Sequence, residues 1–149
     1  MFRNILVPTD GSSLSRRAIK LAVRLASEQK ARVTGFFVGP DWNPRIYGDA
    51  DSSSFGVITP SQHAANVRKM AERHLGVLKK AAAAAGVRCE CLHVVAPYPY
   101  QEIIKAARQN RCDLICMASH GRRGISRLLL GSETSKVLAL SGIPVLVCR

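Results

Sequence analysis

The residues best suited to chemistry lie in the glycine-containing segment Met117–Thr134. Nine residues separate Gly121 from Gly131, and Ser132 and Thr134 follow at the predicted start of a helix, with Ser132 as its cap. Glycine lets a backbone approach a ligand closely. The free N–H groups and the dipole of a helix N-terminus favour an anion. The spacing therefore indicates a phosphate site, with a capped helix behind a turn as the alternative.

Basic side chains surround this segment. Arg122, Arg123 and Arg127 lie between the two glycines and add positive charge, which suits a polyphosphate. His120, just before the first glycine, is interpreted either as a phosphate contact or as a turn residue.

A carboxylate, Asp10, follows the first predicted strand. It would repel phosphate, but it can accept hydrogen bonds from ribose hydroxyls or hold a metal. The alternative is that Asp10 only starts the turn into the next helix.

Alternating strands and helices must position these groups. The apolar pattern predicts strands over Ile5–Val7, Val33–Val38, Val87–Val95, Leu114–Ala118 and Pro144–Cys148. It predicts a first helix capped by Ser12 or Ser13, and further helices spanning 61–85, around Tyr100–Ala107, and over Glu133–Leu140. This order indicates an α/β fold with a parallel sheet covered by helices on both faces.

Ligands of such sheets bind at the carboxyl ends of the strands. Three segments are therefore predicted to converge there: Val7–Ser12, Val38–Pro40 and Met117–Thr134. A long loop, 39–60, also begins at this edge and is either functional or a mobile insertion.

One further cluster, Cys89, Cys91 and His93, shares a face of the third predicted strand. The usual C-x2-C pairing of metal sites is absent, so a sheet face packed under a helix is the favoured interpretation and no metal site is predicted.

Composition limits the function classes. The 149 residues are 47% hydrophobic and 21% charged, typical of one soluble globular domain. The net charge of +12 is scattered along the chain and aromatic residues are few, so nucleic-acid binding is not expected. The sequence lacks a membrane-length apolar run and a signal-peptide pattern, and its five cysteines are an odd number, which together predict a cytoplasmic protein.

Three sequence features together resemble the universal stress protein family of the adenine-nucleotide-binding type. Val7–Ser12 matches the family's V-P-x-D-G-S. The family's G-x2-G-x9-G-[S/T] stands here as Ala118-Ser119-His120-Gly121, nine residues, then Gly131-Ser132. Pro144–Val147 is similar to the family's last strand, so the likeness covers essentially the whole chain, 1–149.

The resemblance implies a Rossmann-like open sheet of five strands that binds ATP, with or without Mg²⁺, at the strand ends. Asp10 would contact ribose, and Val38 would lie against adenine. The phosphates would be held through backbone and hydroxyl groups of Gly121, Gly131, Ser132 and Thr134. The full set of expected site residues is Pro8, Thr9, Asp10, Val38, Met117, Ala118, His120, Gly121, Arg122, Arg123, Gly131, Ser132, Glu133 and Thr134.

The implied function is that of a cytoplasmic stress-response sensor or regulator, forming a homodimer through its last strand. The sequence has no P-loop, and no residue is identified as a general base, so ATP hydrolysis is expected to be slow at most. The alternative is a dimeric interaction module of the same fold that binds no nucleotide.

Two positions depart from the family pattern. Ala118 replaces the motif's first glycine and adds a methyl group, and Glu133 replaces a small apolar residue. A carboxylate beside a triphosphate is repulsive unless cations offset it. Glu133 is therefore the feature that most favours the alternative without nucleotide.

Overall fold

The computed structural model describes residues 1–43, 58–120 and 130–149. Its centre is a sheet in the order β3-β2-β1-β4-β5, in which every neighbouring pair is parallel. The strands are β1 (Asn4–Pro8), β2 (Arg32–Gly39), β3 (Cys89–Val95), β4 (Leu114–Ala118) and β5 (Val145–Cys148). The predicted five-stranded parallel sheet is confirmed.

The central strands are buried on both faces. Ile5, Leu6 and Val7 are 0% exposed, although successive side chains of a strand point to opposite sides. A continuous apolar run of this kind is typical of a parallel strand between two helical layers.

Four helices form those layers. They are α1 (Ser13–Gln29), α2 (Pro60–Ala84), α3 (Pro99–Gln109) and α4 (Ser132–Leu140). Ala22 of α1 and Leu78 of α2 pack on the face that carries Ile5 and Val7, whereas Val137 of α4 and Ala107 of α3 pack on the face of Leu6. The sheet is therefore covered on both sides, as predicted.

The helix ends follow local sequence signals. Ser12 caps α1 by accepting the N–H of Ser15 at 3.1 Å, as predicted. Thr59 caps α2 in a reciprocal capping box with Gln62, and Pro60 occupies the first helical position. The predicted boundary of 61–85 is therefore displaced by one residue.

The predicted cap of α4 is wrong. Gly131 is the N-cap, with φ −60° and ψ 150°, and Ser132 is already the first helical residue. In the described residues, no side chain caps this helix start.

The predicted long loop lies partly outside the described residues, which resume at Ile58. Its two described flanks are joined, because the indole Nε1 of Trp42 donates to the carbonyl of Ile58 at 3.1 Å. The imidazole Nε2 of His63 in α2 also lies 2.8 Å from the carbonyl oxygen of Pro40. Of the helices described, none is sufficiently long and apolar to span a membrane.

Candidate functional site

The site lies where the strand order reverses, between β1 and β4. The two strands run in parallel register, with Ile5 opposite Leu114 and Leu6 opposite Ile115. Their following helices, α1 and α4, cover opposite faces of the sheet. In parallel sheets of this topology, ligands usually bind in a crevice at this place, outside the carboxyl ends of β1 and β4.

The turn after β1 is fixed by side-chain hydrogen bonds. The Thr9 hydroxyl donates to Ser15 Oγ at 3.1 Å and accepts the N–H of Gly11 at 3.2 Å. Asp10 Oδ1 accepts the N–H of Ser12 at 3.0 Å. Asp10 therefore performs the turn role that was its alternative interpretation. This role is compatible with ligand contact, since a carboxylate accepts several hydrogen bonds.

Gly11 is required by the packing of this turn. Its φ is +79°, a conformation unfavourable for other residues. A Cβ at this position would stand 2.2 Å from the ring of His74, which itself packs against Phe37 with centroids 5.3 Å apart. The glycine of V-P-x-D-G-S thus lets α2 approach the turn.

The end of β4 is bonded directly to the start of α4. The carbonyl of Ser119 accepts the N–H of Gly131 at 2.8 Å, and the Thr134 hydroxyl donates to the carbonyl of Ala118 at 2.9 Å. The N–H of Ser119 also donates to the carbonyl of Cys148 at 2.7 Å. These bonds bring Gly131, Ser132 and Thr134 to the crevice.

Ser119 is a site residue that the sequence reasoning missed. It is 2% exposed and connects β4, β5 and α4 through its backbone. Ser119 occupies a variable position of the glycine motif. The one sequence signal that could have identified it is its position directly after a buried strand.

The N-terminus of α4 begins with N–H groups that have no acceptor within the helix. The N–H of Ser135 bonds to the carbonyl of Gly131 at 2.9 Å, the first bond of the helix. The preceding N–H groups of Ser132, Glu133 and Thr134 have no acceptor within the helix. Thr134 is 3% exposed and its hydroxyl already serves Ala118, so its backbone N–H is what it can offer an anion.

The carboxylate of Glu133 is directed at a neighbouring helix. Its Oε2 accepts the N–H of Tyr100 at 2.7 Å, at the first turn of α3, and its Oε1 lies 3.5 Å from Lys136 Nζ. Tyr98, the N-cap of α3, makes no side-chain capping bond. Glu133 therefore caps α3, where a helix dipole favours its charge.

The two ring nitrogens of His120 differ in their hydrogen-bond partners among the described residues. Its Nδ1 lies 2.9 Å from Ser119 Oγ. Its Nε2 is buried, and across residues 1–43, 58–120 and 130–149 it meets no hydrogen-bond partner. Most buried polar atoms in proteins form a hydrogen bond, so a bound ligand is a reasonable partner for this nitrogen.

Apolar residues form the rest of the crevice. Pro8 and Val38 are half-buried at the ends of β1 and β2. Met117 is 6% exposed and packs with Val137 in the core, so its side chain is part of the floor beneath α4. The predicted site residues Gly121, Arg122 and Arg123, and Arg127 beside them, lie outside the described residues.

Relatives of this chain carry one family name. YxiE of Bacillus subtilis, a universal stress protein, is 34% identical over 154 residues, covering all of both chains. MJ0531 of Methanocaldococcus jannaschii, also a universal stress protein, is 31% identical across all of this chain and 83% of its own length.

Solved structures agree on the fold. The structure of MJ0577, a universal stress protein of Methanocaldococcus jannaschii, matches with a TM-score of 0.81 and 27% identity, covering 99% of this chain and 96% of the other. A universal stress protein in complex with cAMP matches at 0.66 and 23% identity over 98% and 95% of the two chains. One from Archaeoglobus fulgidus in complex with dAMP matches at 0.66 and 16% over 99% and 98%. Some proteins of this fold therefore bind adenine nucleotides.

The family model for universal stress proteins matches residues 1–149, the whole length of the sequence. Together with the identity to two relatives over the full chain, this match shows that the chain belongs to the universal stress protein family.

Proposed function

We propose that this protein binds ATP in the crevice between β1 and β4 and acts in the cytoplasm as a homodimeric regulator of a stress response. The observation that carries the proposal is the start of α4: a glycine N-cap, donors without an intrahelical acceptor, and direct bonds to the end of β4. The adenine nucleotides in two structures of the same fold support the choice of ligand.

The conformation of Gly131 supports a phosphate at this place. Its φ of −60° and ψ of 150° are open to any residue, so backbone strain does not explain a glycine here. The absence of a side chain at Gly131 then allows another group to approach its backbone closely, either a ligand or a neighbouring part of the chain. Phosphate oxygens would take the N–H groups of Ser132, Glu133 and Thr134.

His120 also fits an anionic ligand. When the Ser119 hydroxyl donates to Nδ1, the neutral imidazole carries its proton on Nε2. A phosphate oxygen would satisfy that buried donor, which the described residues leave without a partner. Gly121, Arg122 and Arg123 complete the proposed phosphate site on sequence grounds.

The opposite end of the nucleotide is assigned to the β1 and β2 ends. In this proposal Asp10 accepts hydrogen bonds from ribose hydroxyls, and Val38 lies against adenine. Pro8, Thr9, Met117 and Ala118 border the nucleotide. Mg²⁺, where present, accompanies the triphosphate, and hydrolysis is at most slow.

A thermal melt tests the phosphate assignment. At a hundredfold excess over its dissociation constant, Mg-ATP should stabilise the wild type by about 2.7 kcal/mol. Gly131→Val should remove this gain, because its side chain fills the proposed phosphate position while its backbone conformation stays allowed. Gly76→Val is the matched control: an added Cβ meets nothing within 4 Å there, so the ATP shift should persist.

Two outcomes would contradict the proposal. A wild type without any ATP-dependent shift would favour the dimeric interaction module that binds no nucleotide. A shift that survives in Gly131→Val would mean that ATP binds elsewhere on the protein.

Calorimetry tests the ribose assignment. Asp10→Ala should weaken ATP binding by about 1.5–3 kcal/mol, the range for a hydrogen bond to a charged group. Asp10→Asn keeps an oxygen for the Ser12 N–H and should separate the turn role from the charge. Unchanged ATP affinity in both variants would remove Asp10 from the site.

The proposed dimer uses β5, which lies at an edge of the sheet. Its residues are half-buried, and Leu138 and Leu140 of α4 are 41% and 57% exposed. Edge strands with apolar side chains tend to pair. We expect Val147→Lys to give a monomer in sedimentation velocity, whereas Val95→Lys on the opposite edge strand should leave the dimer intact. A wild type that sediments as a monomer at micromolar concentration would contradict the assignment.

A further inference from the structure

Two cysteine thiols lie side by side on the edge strand farthest from β5. Cys89 and Cys91 occupy alternate positions of β3, so both side chains project from one face, and their sulfur atoms are 3.8 Å apart. Both residues are partly exposed. The described strands pair with β3 on one side only, through β2, so the sulfurs lie near an open edge.

The sheet and α2 create room for this pair. Cys91 is opposite Gly35 in the register of β2 and β3. A Cβ on Gly35 would stand 3.1 Å from the sulfur of Cys91 and 2.6 Å from Leu78 of α2. The absent side chain therefore gives Cys91 its place between the sheet and the helix, with solvent on the other side.

The two thiols differ in acidity. The hydrogen bond between them lowers the pKa of Cys91, and the nearby ammonium group of Lys79 and the backbone of Gly35 lower it further, while burial and the charge of Glu90 oppose them. The same hydrogen bond, together with burial, raises the pKa of Cys89. Cys91 is thus the more acidic of the two thiols.

We propose that Cys89 and Cys91 bind one soft monovalent cation, Cu(I), between their sulfur atoms. Thiolates are the ligands that select Cu(I). A structural zinc site needs four ligands, and the described parts of the chain bring no three ligand-type side chains together here. A two-thiol pair suits an ion that accepts low coordination.

The binding step exchanges protons for the ion. Two copper–sulfur bonds form, two S–H bonds break, and both protons pass to water. Copper stays Cu(I), so no oxidant or reductant is needed. The resulting dithiolate complex carries one negative charge, which the nearby Lys79 offsets. The site lies at the β3 edge and does not depend on the proposed nucleotide crevice.

An anaerobic Cu(I) titration tests the proposal. Wild-type protein should take one equivalent of Cu(I) from a chromogenic chelator, with a Cu(I)–thiolate absorbance band in the ultraviolet. Cys91→Ser and Cys89→Ser should each lose at least tenfold in affinity, with circular dichroism checking the fold. Cys112→Ser changes a buried thiol in the apolar cluster on the other face of the sheet and should keep wild-type affinity.

A second measurement needs no substitution. One equivalent of Cu(I) should protect the peptide containing Cys89 and Cys91 from iodoacetamide, as read by mass spectrometry. Unprotected alkylation of this peptide, or affinity lost in Cys148→Ser while Cys91→Ser binds normally, would overturn the assignment. The latter result would place the ion at Cys148, whose thiol lies within hydrogen-bond distance of the Cys116 thiol on the neighbouring strand β4.

Discussion

The bond between Glu133 and α3 can be tested by removing the carboxylate. Glu133→Ala deletes the acceptor of the Tyr100 N–H, which it holds at 2.7 Å, and the contact with Lys136 at 3.5 Å. The start of α3 then has no capping side chain among the described residues. The change should therefore lower the free energy of unfolding without touching the apolar core.

The expected loss of stability combines the loss of a helix cap with the loss of an ion pair. Loss of a helix cap costs about 0.5–2 kcal/mol, and loss of an exposed ion pair about 0.2–0.5 kcal/mol. The Glu133 side chain is 37% exposed, which places the cap in the middle of its range, and the better helix propensity of alanine offsets a few tenths. We expect a net loss of about 1–1.5 kcal/mol, or about 2–6 °C in Tm for a chain of this size.

Urea unfolding followed by circular dichroism measures this loss. Glu133→Gln keeps an oxygen for the Tyr100 N–H and should lose about half as much as Glu133→Ala. Glu72→Ala is the matched control. Among the residues that the structure describes, Glu72 pairs with Arg68 alone, at 3.2 Å, and its side chain is 65% exposed, so the loss of stability should stay below about 0.5 kcal/mol.

The reasoning would be refuted by a Glu133→Ala protein as stable as Glu72→Ala. A Glu133→Gln protein as unstable as Glu133→Ala would show that charge, rather than the hydrogen bond to α3, sets the effect. An ATP affinity that rises more than about threefold in Glu133→Gln, roughly 0.7 kcal/mol, would show that the carboxylate faces the nucleotide after all.

Three further predictions concern Thr134, Gly11 and Cys112. Thr134→Val should cost about 1–3 kcal/mol in urea unfolding because it leaves the Ala118 carbonyl without its donor, and a loss below 0.5 kcal/mol would contradict that bond. Gly11→Ala should lower stability by about 1–3 kcal/mol or more through its positive φ and its overlap with His74, and wild-type stability would show that the turn can relax. Burial raises the pKa of Cys112 to about 11, so iodoacetamide at pH 8 should spare it in folded protein and modify it in urea; modification of the folded protein would contradict its burial.

The periodicity of the sequence was sufficient to predict the sheet and its helical layers. A run such as Ile5–Val7 is apolar on both faces, and Ser12 lies directly before a helical repeat, so both features are local. The sequence pattern could also bring the ends of β1 and β4 together, because parallel strands end at one edge.

Side-chain partners were not predictable in the same way. Glu133 accepts a hydrogen bond from a backbone N–H 33 residues away. Every residue except proline has such an N–H group, so the sequence does not indicate which one is the donor. The cap of α4 was assigned to Ser132 on preference, but the backbone turns into the helix one residue earlier, at Gly131. The hydroxyl of Thr134 was expected on phosphate and is engaged by the Ala118 carbonyl.

The two bonds that join Ala118–Ser119 to Gly131–Thr134 have a consequence for how this family can diversify. Both bonds join residues on either side of the stretch that connects the two halves of the glycine motif, and neither bond uses a residue of that stretch. A substitution in the stretch would therefore remove neither the donor nor the acceptor of these two bonds. Loops vary more readily in sequence than the elements they connect. The charge that such a loop carries at this edge of the sheet can thus change while both bonds between β4 and α4 keep their partners.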